Sequence, residues 1–200
     1  MVFTINFLFI PSLLIYYFQW PDKIKIPVVI IFFFFYIRDL LLVFGYDKFP
    51  ELSFTLFFAG IFPLFIYALT EFRRSRVHFL EILSLLIIFG FSIFLFLSMF
   101  ELVPQVLPGY ELLTYIYLIL LNLLLCLSFT VYFLKSHRAS LALMLFASFL
   151  IFGETSLFFK LMVIEDLSVL IFYPVCHTAA YAALVYYGLN RRNTGKFYLF

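Results

Sequence analysis

Apolar residues form seven long runs along the chain, and short polar connections separate them. The runs cover approximately residues 2–20, 26–44, 53–70, 79–99, 111–134, 140–159 and 167–189. A helix needs about 20 consecutive apolar residues to cross the hydrocarbon core of a bilayer, and each run has about that length. The pattern predicts an all-α, polytopic membrane helix bundle with about seven transmembrane helices. Residues 1–190 form this single bundle, and residues 191–200 form a short cytoplasmic tail.

Composition supports a membrane protein and excludes an ordinary soluble domain. Hydrophobic residues make up 66% of the chain and charged residues only 12%, and the mean hydropathy is +1.14. A soluble domain holds about a quarter charged residues and roughly half apolar ones. The net charge of +2 is small and reflects the connections between the runs, so it indicates no nucleic-acid partner. Nothing in the composition indicates an oligomeric state.

Lysine and arginine lie mainly on one set of connections, which predicts the orientation of the helices. Lys48 and Lys160 lie in the opposite set of connections, and Arg38 lies within a run. Cytoplasmic connections carry an excess of Lys and Arg. We therefore expect the N-terminus outside and the C-terminus in the cytoplasm, in what is most simply a bacterial inner (plasma) membrane. The ten residues that share the predicted cytoplasmic side are Lys23, Lys25, Arg73, Arg74, Arg76, Lys135, Arg138, Arg191, Arg192 and Lys196.

Tyrosine and tryptophan residues near the ends of the runs predict an aromatic belt at the two membrane interfaces. Aromatic side chains with one polar atom favour the level of the lipid headgroups. The belt residues predicted on this basis are Tyr16, Tyr17, Trp20, Tyr46, Tyr110, Tyr186 and Tyr187.

A weak internal repeat relates the first three runs to the last three. Polar residues recur at an offset of 115, and Asp39 of the second run corresponds to Glu154 of the sixth. One interpretation is a duplicated three-helix unit with the fourth helix as a linker, a 3+1+3 parallel repeat with a site between its halves. The other is coincidence in a chain rich in Phe, Leu and Ile. The remaining pairs are Lys23 with Arg138, Ser53 with Ser168 and Arg76 with Arg191.

Four ionisable residues lie within the runs and are candidate functional residues. Ionisable side chains inside a membrane usually face a bundle interior or a cavity. Asp39 and Glu154 lie at similar depths, which predicts a shared polar site. Arg38 either reaches the headgroups or forms an ion pair with one of these acids. The acids form either a chemical site or a packing network, and His177 is either a site residue or an interior hydrogen-bonding group.

The seventh run carries a polar stripe, because Tyr173, His177 and Tyr181 are spaced four residues apart and share one helix face. The other histidines, His78 and His137, lie in connections far from His177 in depth. The three therefore predict no shared metal site, and we expect neither a metal nor an organic cofactor. The chain also lacks the GxSxG, HExxH and Walker A motifs.

Two regions of the chain, about residues 37–70 and 146–184, resemble the YhhN family of membrane proteins, which includes lysoplasmalogenases. The resemblance rests on FFFYIRDLLLVFGYDKFPELSFTLFFAGIFPLFIYAL, on FASFLIFGETSLFF and on FYPVCHTAAYAAL. It places Asp39 and Glu154 at the two acids of the family and Tyr173 at its last tyrosine. The chain departs from the family pattern at Arg38, where the family has Gly, and at Glu154, where it has Asp.

The resemblance also implies roles for these residues. Asp39 and Glu154 are the expected catalytic pair, and the expected substrate-binding residues are Arg38, Tyr67, Tyr173 and His177. His177 stands where the family has Gln. Tyr67 is retained, but the histidine of the third helix is absent, and residues near Pro63 and Leu64 take its place.

The function that the resemblance implies is hydrolysis of the vinyl ether bond of a lysoplasmalogen, which gives a fatty aldehyde and a glycerophospho head group. The partner is then a membrane lysolipid. Arg38 adjoins Asp39 and favours its ionised form, whereas Glu154 has no basic neighbour in sequence before Lys160, so we expect Glu154 to be the general acid. The alternatives are a non-catalytic protein that binds a lipid or small molecule, and a small transporter.

Overall fold

Every secondary-structure element in the described part of the chain is a helix, and seven of the eight helices are long. The structure is a computed structural model that describes residues 2–20, 22, 24–43, 50–70, 79–106, 108–161 and 167–191. The predicted all-α class is confirmed, and the long helices coincide with the seven apolar runs. The helices are α1 (Val2–Phe18), α2 (Ile26–Val43), α3 (Pro50–Leu69), α4 (Phe79–Phe100), α5 (Val103–Val106), α6 (Glu111–Lys135), α7 (Arg138–Leu161) and α8 (Leu167–Asn190).

Length and hydropathy identify the chain as a membrane protein. Four segments in the described ranges are long and apolar enough to cross a bilayer: Pro50–Leu69, Phe79–Gln105, Glu111–Lys135 and Arg138–Phe159. The crossing by all seven long helices and the orientation of the termini stay predictions.

The helices differ in how much of their surface other helices cover. In α7, 61% of the membrane-spanning window is buried, whereas in the α4 segment only 11% is. Helix α4 packs mainly on α6, and the Asn122 side chain of α6 donates a 2.7 Å hydrogen bond to the backbone oxygen of Ser92. Helix α7 therefore lies at the centre of the bundle and α4 at its periphery.

The long helices make contacts both within and between the two predicted triplets. Within the triplets, α2 packs on α3, and α7 packs extensively on α8. Between them, α1 contacts α8, α3 contacts α6 and α2 contacts α8. The first two contacts exchange when the triplet α1–α3 is swapped with the triplet α6–α8, whereas the α2–α8 contact has no counterpart of similar size. Whether the triplets arose by duplication stays a prediction.

The aromatic residues at the helix ends form two groups. Tyr16, Trp20 and Tyr186 are exposed, as the predicted belt requires. The prediction is wrong for Tyr17 and Tyr187, which are fully buried. The Tyr17 hydroxyl accepts a 2.8 Å hydrogen bond from the backbone N–H of Lys25, and the Tyr187 ring packs against another tyrosine ring. Tyr46 lies outside the described residues.

Candidate functional site

A buried ion pair joins α2 to α7. The Arg38 guanidinium donates from Nη1 to Oε1 of Glu154 and from Nη2 to Oε2, the second hydrogen bond measuring 2.7 Å. The two side chains are only 2% and 1% exposed. A two-pronged contact of this kind is the geometry in which arginine binds a carboxylate most strongly. Of the alternatives for Arg38, the ion pair with Glu154 is therefore confirmed, and the side chain does not extend to the headgroups.

Aromatic side chains hold this ion pair in place. The Tyr117 hydroxyl of α6 donates a hydrogen bond to Oε2 of Glu154. The Arg38 guanidinium carbon lies 5.3 Å from the centre of the Phe57 ring and 5.7 Å from that of the Tyr117 ring. Cations are attracted to aromatic faces at such distances. The sequence identifies neither aromatic residue, because both lie among many other aromatic residues in apolar runs.

Asp39 faces the polar stripe of α8, and all three stripe residues contact its carboxyl group. Tyr173 donates a 3.1 Å hydrogen bond to Oδ1, and Tyr181 donates a 2.8 Å hydrogen bond to Oδ2. Nδ1 of His177 lies 3.1 Å from Oδ2. The Asp39 side chain is 13% exposed, so it is the more accessible of the two acids.

The His177 imidazole lies between the two acids. Its Nδ1 contacts Asp39, and its Nε2 lies 3.1 Å from Oε1 of Glu154. No hydrogen bond forms across the second contact, so Nε2 has no hydrogen-bond partner among the described residues. The carboxyl groups of Asp39 and Glu154 are thus separated by one imidazole ring and its two nitrogen–oxygen contacts. The structure brings both acids, Tyr173 and His177 together, as the sequence predicts.

Gly153 leaves room for the imidazole of His177, because it has no side chain. A Cβ atom at this position would lie 2.5 Å from Cδ2 of His177 and 3.0 Å from its Nε2. Any larger residue would therefore force the imidazole or its helix to move. The residue that precedes Glu154 in the sequence thus determines whether His177 fits beside that acid.

Two expectations about the site are wrong. Tyr67 lies elsewhere: its ring stacks on the guanidinium of Arg191 at 3.3 Å and packs against Tyr187. It is ten residues along α3 from Phe57, which is about 15 Å at the rise of an α-helix.

The second error concerns the charges around the acids. The argument for Glu154 as the general acid takes Arg38 as the cationic neighbour of Asp39, but the Arg38 guanidinium binds Glu154. The reason is rotational, since consecutive residues point about 100° apart around a helix. Arg38 is consequently enclosed beside Glu154 instead of open to a substrate.

The His, Cys, Asp and Glu residues in the described ranges do not form a metal site. The imidazole of His177 separates the two carboxyl groups, so the three side chains do not converge on one point. The site is therefore best described as a cluster of ionisable groups in which His177 lies between the two acids.

Comparison with known proteins gives no match to a protein-family model, a curated protein or a solved structure. The resemblance to the YhhN family therefore rests on the short motifs alone, and the contacts of the site carry the functional proposal.

Proposed function

We propose that the chain is a membrane-embedded hydrolase that cleaves the vinyl ether bond of a single-chain ether phospholipid, with Asp39 and His177 as its acid–base pair. The observation that carries this proposal is the imidazole between two carboxyl groups, of which one is neutralised by Arg38 and the other is partly exposed. A titratable chain of this kind at a membrane-embedded site favours proton transfer.

The reaction requires only proton transfer and water. An acid adds a proton to the vinyl carbon remote from the ether oxygen, which makes the ether carbon part of an oxocarbenium ion. Water adds to that carbon and returns one proton to the base, giving a hemiacetal. The hemiacetal then breaks its bond to the glycerol oxygen, and the hydroxyl proton moves to that oxygen. The products are a fatty aldehyde and a glycerophospho alcohol.

The contacts of the two acids suggest different roles for them. Asp39 is the more accessible carboxyl, so it meets the substrate and exchanges the proton with His177. Glu154 is enclosed by Arg38 and Tyr117 and acts through His177 as a positioning residue. The sequence predicts Glu154 as the general acid, and the proposal assigns that role to Asp39 because Arg38 binds Glu154. Tyr173 and Tyr181 hold the Asp39 carboxyl in one orientation.

The substrate class is inferred from the family resemblance. A lysolipid has one acyl-like chain, which a bundle in a bilayer can accept between its helices. Asp39, Glu154 and Tyr173 occupy the positions of the YhhN motif residues, which supports a lysoplasmalogen as the substrate.

The proposal is tested with the purified full-length chain in lipid nanodiscs. Aldehyde release is measured from a lysoplasmalogen and from the saturated alkyl ether analogue, which has no carbon that can be protonated. We expect release from the vinyl ether only, and a loss of about 10²–10⁴-fold in Asp39→Asn. Asp22 is exposed, so the Asp22→Asn variant is the matched control and should keep the wild-type activity. A wild-type protein that releases no aldehyde contradicts the proposal.

A proton-coupled transporter is the second candidate, and the packing of the two triplets favours it. The contacts of α1 with α8 and of α3 with α6 exchange under the swap, and Asp39 and Glu154 correspond at the sequence offset of 115. Transporters built from parallel repeats bind their substrates between the two halves. Proton-dependent uptake into vesicles, without aldehyde release, is the outcome that selects this candidate.

A further inference from the structure

We infer that Arg38, Asp39, Glu154 and His177, here called the acid–imidazole cluster, bind one exchangeable proton inside the membrane. Such a proton serves a hydrolase and a transporter equally, so it does not depend on the choice between them. Two distances and the balance of charges in the cluster point to it.

The distances favour a proton on each side of the imidazole. Nδ1 lies 3.1 Å from Oδ2 of Asp39, and Nε2 lies 3.1 Å from Oε1 of Glu154. A neutral imidazole carries hydrogen on one nitrogen only and presents a lone pair at the other. The nitrogen with the lone pair carries a partial negative charge and would lie 3.1 Å from a carboxylate oxygen, which is repulsive. The contacts are favourable when His177 is an imidazolium, or when it is neutral and one carboxyl group is protonated.

The charges of the cluster balance only when this proton is present. Arg38 contributes one positive charge, and the two ionised acids contribute two negative charges. With a neutral imidazole the cluster has a net charge of −1, and with one further proton its net charge is zero. Burial of an uncompensated charge costs several kcal/mol. The side chains of Arg38, Glu154 and His177 are at most 2% exposed, so the neutral total is strongly favoured.

The groups that neighbouring helices place against the cluster do not change this balance. They are the hydroxyls of Tyr117 from α6 and of Tyr173 and Tyr181 from α8, which donate hydrogen bonds to the acids. The aromatic face of Phe57 from α3 lies against Arg38. All four side chains are uncharged.

Asp39 is the group through which the proton enters and leaves. Its side chain is 13% exposed, whereas those of His177 and Glu154 are 2% and 1% exposed. A proton released from His177 therefore passes to Asp39 before it reaches a substrate or water. In the proposed hydrolase this proton is the one added to the vinyl carbon, and in a transporter it is the coupling ion.

The test is nitrogen-15 NMR of the full chain labelled at histidine, in nanodiscs at neutral pH. A variant with His78→Gln and His137→Asn leaves His177 as the one labelled imidazole and does not alter the cluster. We expect both ring nitrogens of His177 to show the resonances of protonated nitrogens. If one nitrogen is unprotonated, the infrared spectrum must show a buried protonated carboxyl band that Asp39→Asn or Glu154→Gln removes. A neutral imidazole without such a band overturns the inference.

A second measurement uses the charge balance directly. In the Asp39→Asn variant, the charges of Arg38 and Glu154 cancel, so the cluster is neutral when the His177 imidazole is neutral. We therefore expect His177 to lose its extra proton and its spectrum to show one unprotonated nitrogen. The exposed Asp22→Asn control retains the wild-type spectrum. An imidazolium that persists in Asp39→Asn contradicts the inference. Aldehyde release is measured separately, so failure of the hydrolase proposal and failure of this inference are distinguishable.

Discussion

Arg38 binds Glu154, which lies 116 residues further along the chain, and does not bind the adjacent Asp39. The two neighbours point about 100° apart around α2, so each meets a different helix. Arg38 faces α7, and Asp39 faces α8. One dipeptide thereby joins three helices, and the cluster is also a structural junction of the bundle.

Glu154→Gln should destabilise the protein strongly, because it leaves the Arg38 guanidinium buried without its counter-charge. Breaking a buried ion pair from one side costs about 3–5 kcal/mol, whereas replacing both partners with apolar residues is often neutral. We therefore expect the double variant Arg38→Met with Glu154→Leu to regain much of the lost stability. Both are measured by denaturant unfolding in mixed micelles. A single variant as stable as the wild type would show that the ion pair contributes nothing.

Gly153→Ala should displace His177 from its position between the acids, since the new Cβ would lie 2.5 Å from the imidazole. Overpacking of this kind typically costs about 1–3 kcal/mol. In nitrogen-15 spectra the His177 resonances should shift, and aldehyde release should fall. Gly90→Ala is the matched control, because a Cβ there meets nothing within 4 Å. Equal behaviour of the two variants contradicts the role of Gly153.

Tyr181→Phe should weaken the hold on Asp39 while keeping the ring, because it removes a 2.8 Å hydrogen bond to Oδ2. A hydrogen bond to a charged group contributes about 1.5–3 kcal/mol. We expect lower unfolding free energy and a changed pH profile of activity. Tyr186→Phe, which alters an exposed tyrosine of the same helix, serves as the control and should change neither. The prediction fails if the pH profile of Tyr181→Phe matches that of the wild type.

A reporter protein that is active only in the cytoplasm should be active when fused after Phe200 and inactive when fused after Gly109. The reason is the concentration of Lys and Arg on the predicted cytoplasmic connections. The two fusions are compared at equal expression. The reverse pattern of activity would overturn the predicted orientation, and equal activity of the two fusions would overturn the count of seven crossings.

The helices were predictable from the sequence, but the partners of their polar residues were only partly so. Bilayer thickness fixes the length of an apolar run, which is why the runs match the seven long helices. The stripe on α8 was predictable because residues four apart share one face of a helix. The pairing of Arg38 with Glu154 was left open, since helices that are apolar on all sides give little indication of which faces meet. The contact of Tyr117 with Glu154 was not predictable, because nothing in the sequence distinguishes Tyr117 from the other tyrosines among the 14 in the chain.

The peripheral position of α4 has a consequence for how the sequence can vary. Ser92 and Met99 are its only buried residues, so most of its side chains meet lipid, to which any apolar side chain of similar length is equally suited. Exchanges among Leu, Ile, Phe and Val along that face should survive a saturation mutagenesis screen almost without loss. Helix α7 is enclosed on most sides and holds Gly153 and Glu154, so it should tolerate few substitutions. The two helices should therefore diverge at very different rates in descendants of this gene.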